Sequence, residues 1–261
     1  MGKISSNTAI GYQTLYNNTS GFSNIAIGYQ ALKSNTISGD NFAIGYQALT
    51  ANTTGELNLA IGNSALRSNS IGKENVATGY NTLLNNTNGN NNTANGGNSM
   101  KLNTTGSNNT AMGDQSLYQN TDGNFNVAIG QKALFQAQGS NNIGIGASAL
   151  YGTTSGSGNI AIGFSQGVPS NAGNNQLNIG GAIFGTGLSG NEIAPAGKIG
   201  IGRANPTETL DVAGAVKISS GGYSVTDNAT SPVPAGGAGT IVFQNSHFFG
   251  WNGSAWKQLD N

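Results

Sequence analysis

Apolar and polar residues return along this chain in the same order at a fixed interval. A glycine that usually follows an Ala-Ile pair anchors each copy. Successive anchors lie seventeen positions apart at nine steps and sixteen apart at one, which gives eleven copies. The anchors are Gly11, Gly28, Gly45, Gly62, Gly79, Gly96, Gly113, Gly130, Gly146, Gly163 and Gly180. A fixed period of this kind is typical of repeat proteins and argues against a disordered low-complexity chain.

Each position around the anchor holds the same type of residue in most copies. Ile dominates one position before the anchor, Ala two before it, Asn four before it and Leu four after it. The copy near Asn95 departs from the pattern, because asparagine replaces the isoleucine and Gly97 replaces a tyrosine. Between residues 90 and 109 we therefore expect either a softer or kinked section caused by repeat decay, or a face used for contact.

The period from Gly11 to Gly28 is too short for a helical hairpin and fits one rung of a β-solenoid. We predict two short strands in each rung, near segments such as NIAIG and QAL. Strand residues alternate between faces, so the isoleucine and the apolar residue two positions earlier share one face, which we expect to be the interior. The intervening alanine then lies outside. Gly and Asn are expected at the corners, and stacked Asn side chains are expected to hydrogen-bond along the axis. The predicted fold is all-β, a β-solenoid or β-roll of eleven rungs.

The composition changes after the repeats. All five prolines lie beyond residue 168, and both tryptophans fall within the last eleven residues. Proline lacks the amide donor that a central strand needs, so the proline-free first part fits a continuous solenoid. The segment GTIVFQNSHFFGWNGSAWKQL predicts a β-hairpin that turns at Asn245 and Ser246, followed by another strand. We divide the chain into a solenoid shaft at 1–183, a transition segment at 184–205 and a small β-rich C-terminal domain at 206–261.

Charge and motif content argue against several classes of function. Charged residues make up 8% of the chain and sum to a formal net charge of +0, so no basic surface for nucleic acid is expected. No apolar run approaches the ~18 residues that cross a membrane. Cysteine is absent, which removes disulfides and thiolate metal sites. The single histidine, His247, and the sparse carboxylates form no catalytic pattern, so we expect no enzyme, no cofactor and no metal.

The consensus N-x-A-I-G-Y-Q-A-L followed by N-T-x-G resembles the head repeats of trimeric autotransporter adhesins of the YadA type, over about residues 7–183. It also resembles the shaft repeats of bacteriophage tail fibres. The segment KIGIGRANPTETLDVAGAVKI, at 198–218, is similar to one that precedes the tip of many tail fibres. The resemblance implies a left-handed roll, a homotrimer and a distal end that meets a host surface. The lack of a C-terminal membrane anchor favours a phage fibre over a bacterial adhesin.

We therefore expect a non-catalytic structural and adhesive fibre protein, a virion component that attaches a phage or phage-like particle to a host cell. The expected partners are further copies of the chain in a homotrimer, other virion or baseplate proteins, and a host surface glycan or protein. Neither nucleic acid binding nor membrane insertion is expected. An outward alanine column would let the protomers of a trimer approach closely.

Three alternatives stay open at this point. The chain could be a fragment of a trimeric adhesin on a bacterial cell surface. It could be an ice-binding solenoid that orders water on its Asn-Thr columns. A polysaccharide-cleaving fibre would need an acidic cluster, which could form between protomers.

The candidate receptor contacts are mostly aromatic and lie near the C-terminus. Aromatic side chains stack on sugars or bury in protein partners when they are exposed, and they form the core of a small domain when they are not. These candidates are Tyr223, His247, Phe248, Phe249, Trp251 and Trp256. A second candidate is the tyrosine column that follows several anchors, which would line a seam between protomers or a repeated binding face. Its members are Tyr12, Tyr29, Tyr46 and Tyr80.

Overall fold

The computed structural model describes residues 6–188 and 197–214, together with the backbone of three strands between residues 241 and 258. The chain forms two compact units, 1–214 and 215–261. The described residues form strands, turns and irregular segments, with no helix among them. The predicted all-β class is confirmed.

Eleven strands of three residues carry the repeats, and each ends directly before its anchor glycine. They are β1 (Thr8–Ile10), β2 (Ile25–Ile27), β3 (Phe42–Ile44), β4 (Leu59–Ile61), β5 (Val76–Thr78), β6 (Thr93–Asn95), β7 (Thr110–Met112), β8 (Val127–Ile129), β9 (Ile143–Ile145), β10 (Ile160–Ile162) and β11 (Leu177–Ile179). Successive strands pair in parallel and in register, so Ala26 lies between Ala9 and Ala43. This order makes one turn of coil per repeat and confirms the β-solenoid.

Three further strands continue the same sheet past the last repeat. β12 (Ile183–Thr186) is antiparallel to β11, and β13 (Lys198–Ile201) is antiparallel to β12. β14 (Leu210–Val212) runs parallel to β13. An ion pair between Arg203 Nε and Asp211 Oδ1, 2.8 Å apart, joins the β13–β14 connection to β14. The first compact unit therefore includes residues beyond the repeats and extends to Gly214.

The central residue of nine of the eleven repeat strands is alanine, with Gly144 in β9 and Asn178 in β11, and this residue points inward, which corrects the predicted orientation. Ala26, Ala43 and Ala60 are fully buried, whereas the apolar residues on either side of them are partly exposed. In the rungs with a fully buried leucine, little interior space is left at this position. At Gly144, which replaces the alanine in one rung, even an added Cβ would lie 3.1 Å from Leu134 Cγ. The isoleucine column therefore lies outside.

Each rung contains one strand of the repeat, because the QAL segment forms a turn instead of the predicted second strand. The residues two and four positions after the anchor have left-handed backbones, with φ 54° at Gln47 and φ 50° at Leu49. Such a conformation costs a non-glycine residue about 1–3 kcal/mol. Full burial of a leucine side chain contributes a similar amount of stability, about 1.5–3 kcal/mol. Burial of the leucine column therefore offsets the backbone strain of the tight turn.

Two columns of buried asparagine hydrogen-bond between successive rungs and confirm the predicted ladders. In the column four before the anchor, Asn58 Nδ2 donates to the Gly72 carbonyl at 2.8 Å, and Asn58 Oδ1 accepts from the Asn75 amide at 3.1 Å. In the column seven after the anchor, Asn69 Nδ2 donates to Asn52 Oδ1 at 2.9 Å. These side chains take the hydrogen-bonding role that water would have at an open corner.

The irregular rung between residues 90 and 109 has no kink. β6 pairs in register with both neighbouring strands, and the Asn109 amide still donates to Asn92 Oδ1 at 3.1 Å. Asn95 and Gly97 lie at outward positions, whereas Ala94 stays fully buried inside the coil. The expected kink is absent because the substitutions do not reach the interior.

The second unit contains a three-stranded antiparallel sheet. Its strands are β15 (Ile241–Gln244), β16 (His247–Trp251) and β17 (Trp256–Gln258), in that order. The predicted hairpin and the strand after it are confirmed. The turn predicted at Asn245 and Ser246 lies outside the described residues.

The one rung that is a residue shorter than the others breaks the second asparagine ladder. Ala137 stands where each earlier rung carries asparagine, and polar atoms on both sides of it are affected. Asn120 Oδ1 in the preceding rung and Thr153 Oγ1 in the following rung are both buried without a hydrogen-bond partner. A single side-chain amide is therefore missing from the ladder at this rung.

We expect the substitution Ala137→Asn to raise the free energy of unfolding by about 1–2 kcal/mol. The new amide would donate to Asn120 Oδ1 and accept from the Thr153 hydroxyl. Urea unfolding at fixed protein concentration measures the change. Ala133→Asn is the matched control, because it buries the same amide at a fully buried site of the same rung and is expected to destabilise the chain. Equal destabilisation by both variants would contradict the explanation.

Candidate functional site

A mostly apolar surface runs along the outside of the solenoid. We call it the apolar strip and define it as the first and third residues of each strand from β1 to β11. Ile10, Ile61 and Met112 are exposed to 58%, 39% and 44% of their surface, and most other members are half-buried. The strip contains no charged residue. The sequence identified this column of residues but placed it inside the coil.

The dimensions of the strip follow from the geometry of the strands. Eleven strands at ~4.8 Å spacing give a length of about 50 Å, and three residues per strand give a width of about 10 Å. The product, about 500 Å², lies within the ~300–600 Å² of the largest apolar patch on a typical monomer, which is often functional.

The tyrosine column extends the strip near its N-terminal end. The rings of Tyr12, Tyr29 and Tyr46 are stacked, with centroids 5.5 Å and 5.1 Å apart. All three side chains are exposed. Beside them, Gln30 Nε2 donates to Gln13 Oε1 at 2.8 Å, so the next column forms an amide ladder. Stacking and amide bonding hold both columns in fixed positions, as a preformed contact surface requires.

A second aromatic stack lies in a different column, five positions after the anchor. Tyr118, Phe135 and Tyr151 stack with both centroid distances at 5.0 Å, and Lys101 Nζ lies 5.7 Å from the Tyr118 centroid. Sugars stack on ring faces, and here neighbouring rings cover the inner faces. This stack is therefore poorly suited to glycan binding along its length. Reading that column of the sequence alone would have found the three rings, which the sequence prediction missed.

The C-terminal candidates fall on the second unit. Tyr223 lies outside the described residues. The other candidates are on β16 and β17: His247, Phe248, Phe249, Trp251 and Trp256. The backbone register places Trp251 directly opposite Trp256. The structure therefore brings the two tryptophan positions together, and their contact with a receptor stays a prediction.

The Asn-Thr columns on which the ice-binding alternative depends are used within the coil. Asn52 and Asn86 are fully buried. Thr53 Oγ1 donates to the Ser70 carbonyl at 3.0 Å, and Thr87 Oγ1 donates to the Thr104 carbonyl at 3.1 Å. Because these hydroxyl protons and amides bond between rungs, the columns do not present a free polar array to water.

Residues 6–188 and 197–214 contain no group of three or more His, Asp or Glu side chains placed to hold a metal ion. No helix in the described part of the chain is long and apolar enough to span a membrane. No family model matches the chain, and no curated protein or solved structure shows significant similarity to it. The fold itself defines the class, a β-solenoid repeat protein.

Proposed function

We propose that this chain is a non-catalytic structural and adhesive fibre protein of a phage or phage-like particle. Its copies associate as a homotrimer through the apolar strip, and the assembled rod contacts a host cell surface. The observation that carries the proposal is the strip, an uncharged apolar face that a single chain leaves open to water on almost every rung.

A second copy of the same chain fits the strip better than an unrelated partner. The side chains of the strip recur once per rung at ~4.8 Å, and another solenoid of the same rise meets them at every level. The absence of charge removes the repulsion that like surfaces usually have when identical copies face each other. With the tyrosine column added, the face approaches the ~800 Å² per partner of a stable interface.

The number of copies in the assembly, three, rests on the resemblance to tail-fibre and YadA-like repeats. The earlier physical hint, an outward alanine column, no longer supports it because those alanines are buried. The outward isoleucine column now provides the physical support for a trimer. Three apolar strips that meet at one axis would cover one another from water.

The adhesive part of the proposal rests on the same resemblance and on the aromatic strands of the second unit. The bacterial adhesin alternative uses the same rod on a cell surface in place of a particle. The ice-binding alternative is disfavoured by the hydrogen bonds of its threonine hydroxyls.

One preparation tests both parts. Light scattering is expected to give a native mass near three times 26.3 kDa, and labelled protein is expected to bind cells of some strains in a bacterial panel. The variant Trp251→Ala with Trp256→Ala is expected to keep that mass and to lose at least about tenfold in cell binding, as the removal of interface aromatics does. A monomeric mass would contradict the assembly. Full binding by the double variant would contradict the role of the two tryptophans.

A further inference from the structure

A group of polar residues centred on β6 interrupts the apolar strip. Of the strands β1 to β11, β6 alone has two polar outward residues, Thr93 and Asn95. On the adjacent strands, Thr78 and Thr110 occupy the same columns and pair with them in register. We call these four residues the polar layer.

The polar layer carries hydrogen-bonding groups that the single chain does not use. Asn95 is exposed. Thr78 Oγ1 is buried and has no hydrogen-bond partner. The interior of the same rungs is unchanged, since Ala77, Ala94 and Ala111 are all fully buried. The departure from the repeat is therefore confined to the surface through which we propose that copies associate.

A strip of nearly identical rungs does not by itself fix how two copies align. A shift by one rung, about 4.8 Å, places isoleucine opposite isoleucine again and loses contact only at the two ends. Strand pairs with uniform faces are prone to such slippage for the same reason. Alignment therefore requires a level that differs from the others.

We propose that the polar layer sets the register of the assembled copies. When copies are aligned, Asn95 of one copy lies beside Asn95 of the next, and their side-chain amides can bond to each other. A shift by two rungs would place Asn95 opposite Ile61 or Ile129, where a buried amide has no partner. A single polar residue in an apolar interface fixes register in this way in coiled coils, at a cost in stability. This inference rests on the proposed association through the strip.

Disulfide trapping tests the register, because the chain contains no cysteine. One chain carries Ile27→Cys and a second, differently tagged chain carries Ile61→Cys. These sites lie on the strip two rungs apart, about 10 Å along the axis, which exceeds the ~7 Å Cα separation that a disulfide can bridge. The two chains are unfolded together, refolded and oxidised, and a disulfide between the two sites then reports copies shifted by two rungs.

With the polar layer intact, we expect disulfides between identical sites and almost none between the two different sites. In the Asn95→Ile background, which restores the residue usual at that position, we expect the mixed disulfide to rise at least about tenfold because the slipped state no longer buries an unpaired amide. Asn88→Ile is the matched control, since it adds isoleucine to an exposed column that already carries Ile37 and Ile71. It is expected to leave the mixed disulfide unchanged.

The outcomes separate the two proposals. A monomeric mass with no disulfide at either site would contradict the association itself. An assembled protein that gives equal mixed disulfide with Asn95 and with isoleucine would contradict the register role alone. Circular dichroism confirms that each variant is folded before the yields are compared.

Discussion

Replacing Gly62 with alanine is expected to lower the free energy of unfolding by at least about 3 kcal/mol. The anchor has φ +137°, and an added Cβ would lie 2.3 Å from the Gly79 carbonyl oxygen of the next rung. That oxygen belongs to backbone, so it cannot rotate away as a flexible side chain would. Backbone strain and steric overlap therefore act together at this site.

Gly163→Ala separates the two causes. Gly163 has a similar φ, +126°, but the atom nearest to an added Cβ would be Gln166 Cγ at 3.0 Å, on a side chain that can move. We expect a loss of about 1–3 kcal/mol there, from backbone strain alone. Chemical unfolding at one protein concentration measures both variants, because association would shift the apparent stability. An equal loss of unfolding free energy at both sites would show that the close approach to the Gly79 carbonyl adds nothing to the backbone strain.

The double substitution Ile129→Asp with Ile162→Asp is expected to convert the proposed homotrimer into a monomer near 26.3 kDa. Both residues belong to the apolar strip and are 38% exposed in the single chain, so the solenoid itself should fold. In a trimer each substituted level would bury three carboxylates without partners. The desolvation penalty is several kcal/mol per ion. Light scattering measures the mass, and circular dichroism measures the fold.

The matched control for the strip variant is Thr105→Asp with Ser155→Asp. Both residues are exposed outside the strip, in a column where Asp122 already carries a carboxylate. This variant is expected to keep the assembled mass. If the strip variant also keeps it, the copies do not associate through the apolar strip.

The sequence predicted the period, the solenoid, the asparagine ladders and the C-terminal hairpin, because each depends on residues that recur at fixed spacing or on local turn signals. It did not predict which face of the strand is inside. Alternation separates two faces without saying which one is buried, and isoleucine is usually the interior residue. The space beside the buried leucine column decides the matter, since at Gly144 even an added Cβ would lie 3.1 Å from Leu134 Cγ.

The prediction of a second strand in each rung was wrong for a different reason. Leucine rarely adopts a left-handed backbone, so neither Gln47 nor Leu49 suggests a turn when read alone. Burial of the leucine column outweighs the local preference, and burial is a property of the completed coil. The candidate surface follows the same logic. Its residues were evident in the repeat, and their exposure became evident only when the interior was filled.

The hydrogen bonds between corresponding positions of adjacent rungs have a consequence for the length of the rod. The residues of one rung would extend about 25 Å as an α-helix, whereas one rung of this coil adds about 4.8 Å. Most residues of a rung therefore contribute to the cross-section of the solenoid, and the length of the solenoid grows in small equal steps as rungs are added. The rung that lacks one residue still makes a full step, with the Asn142 amide donating to Asn126 Oδ1 at 2.9 Å. Reach is thus counted in rungs and not in residues, so duplication of a repeat would lengthen the rod and leave its surfaces as they are.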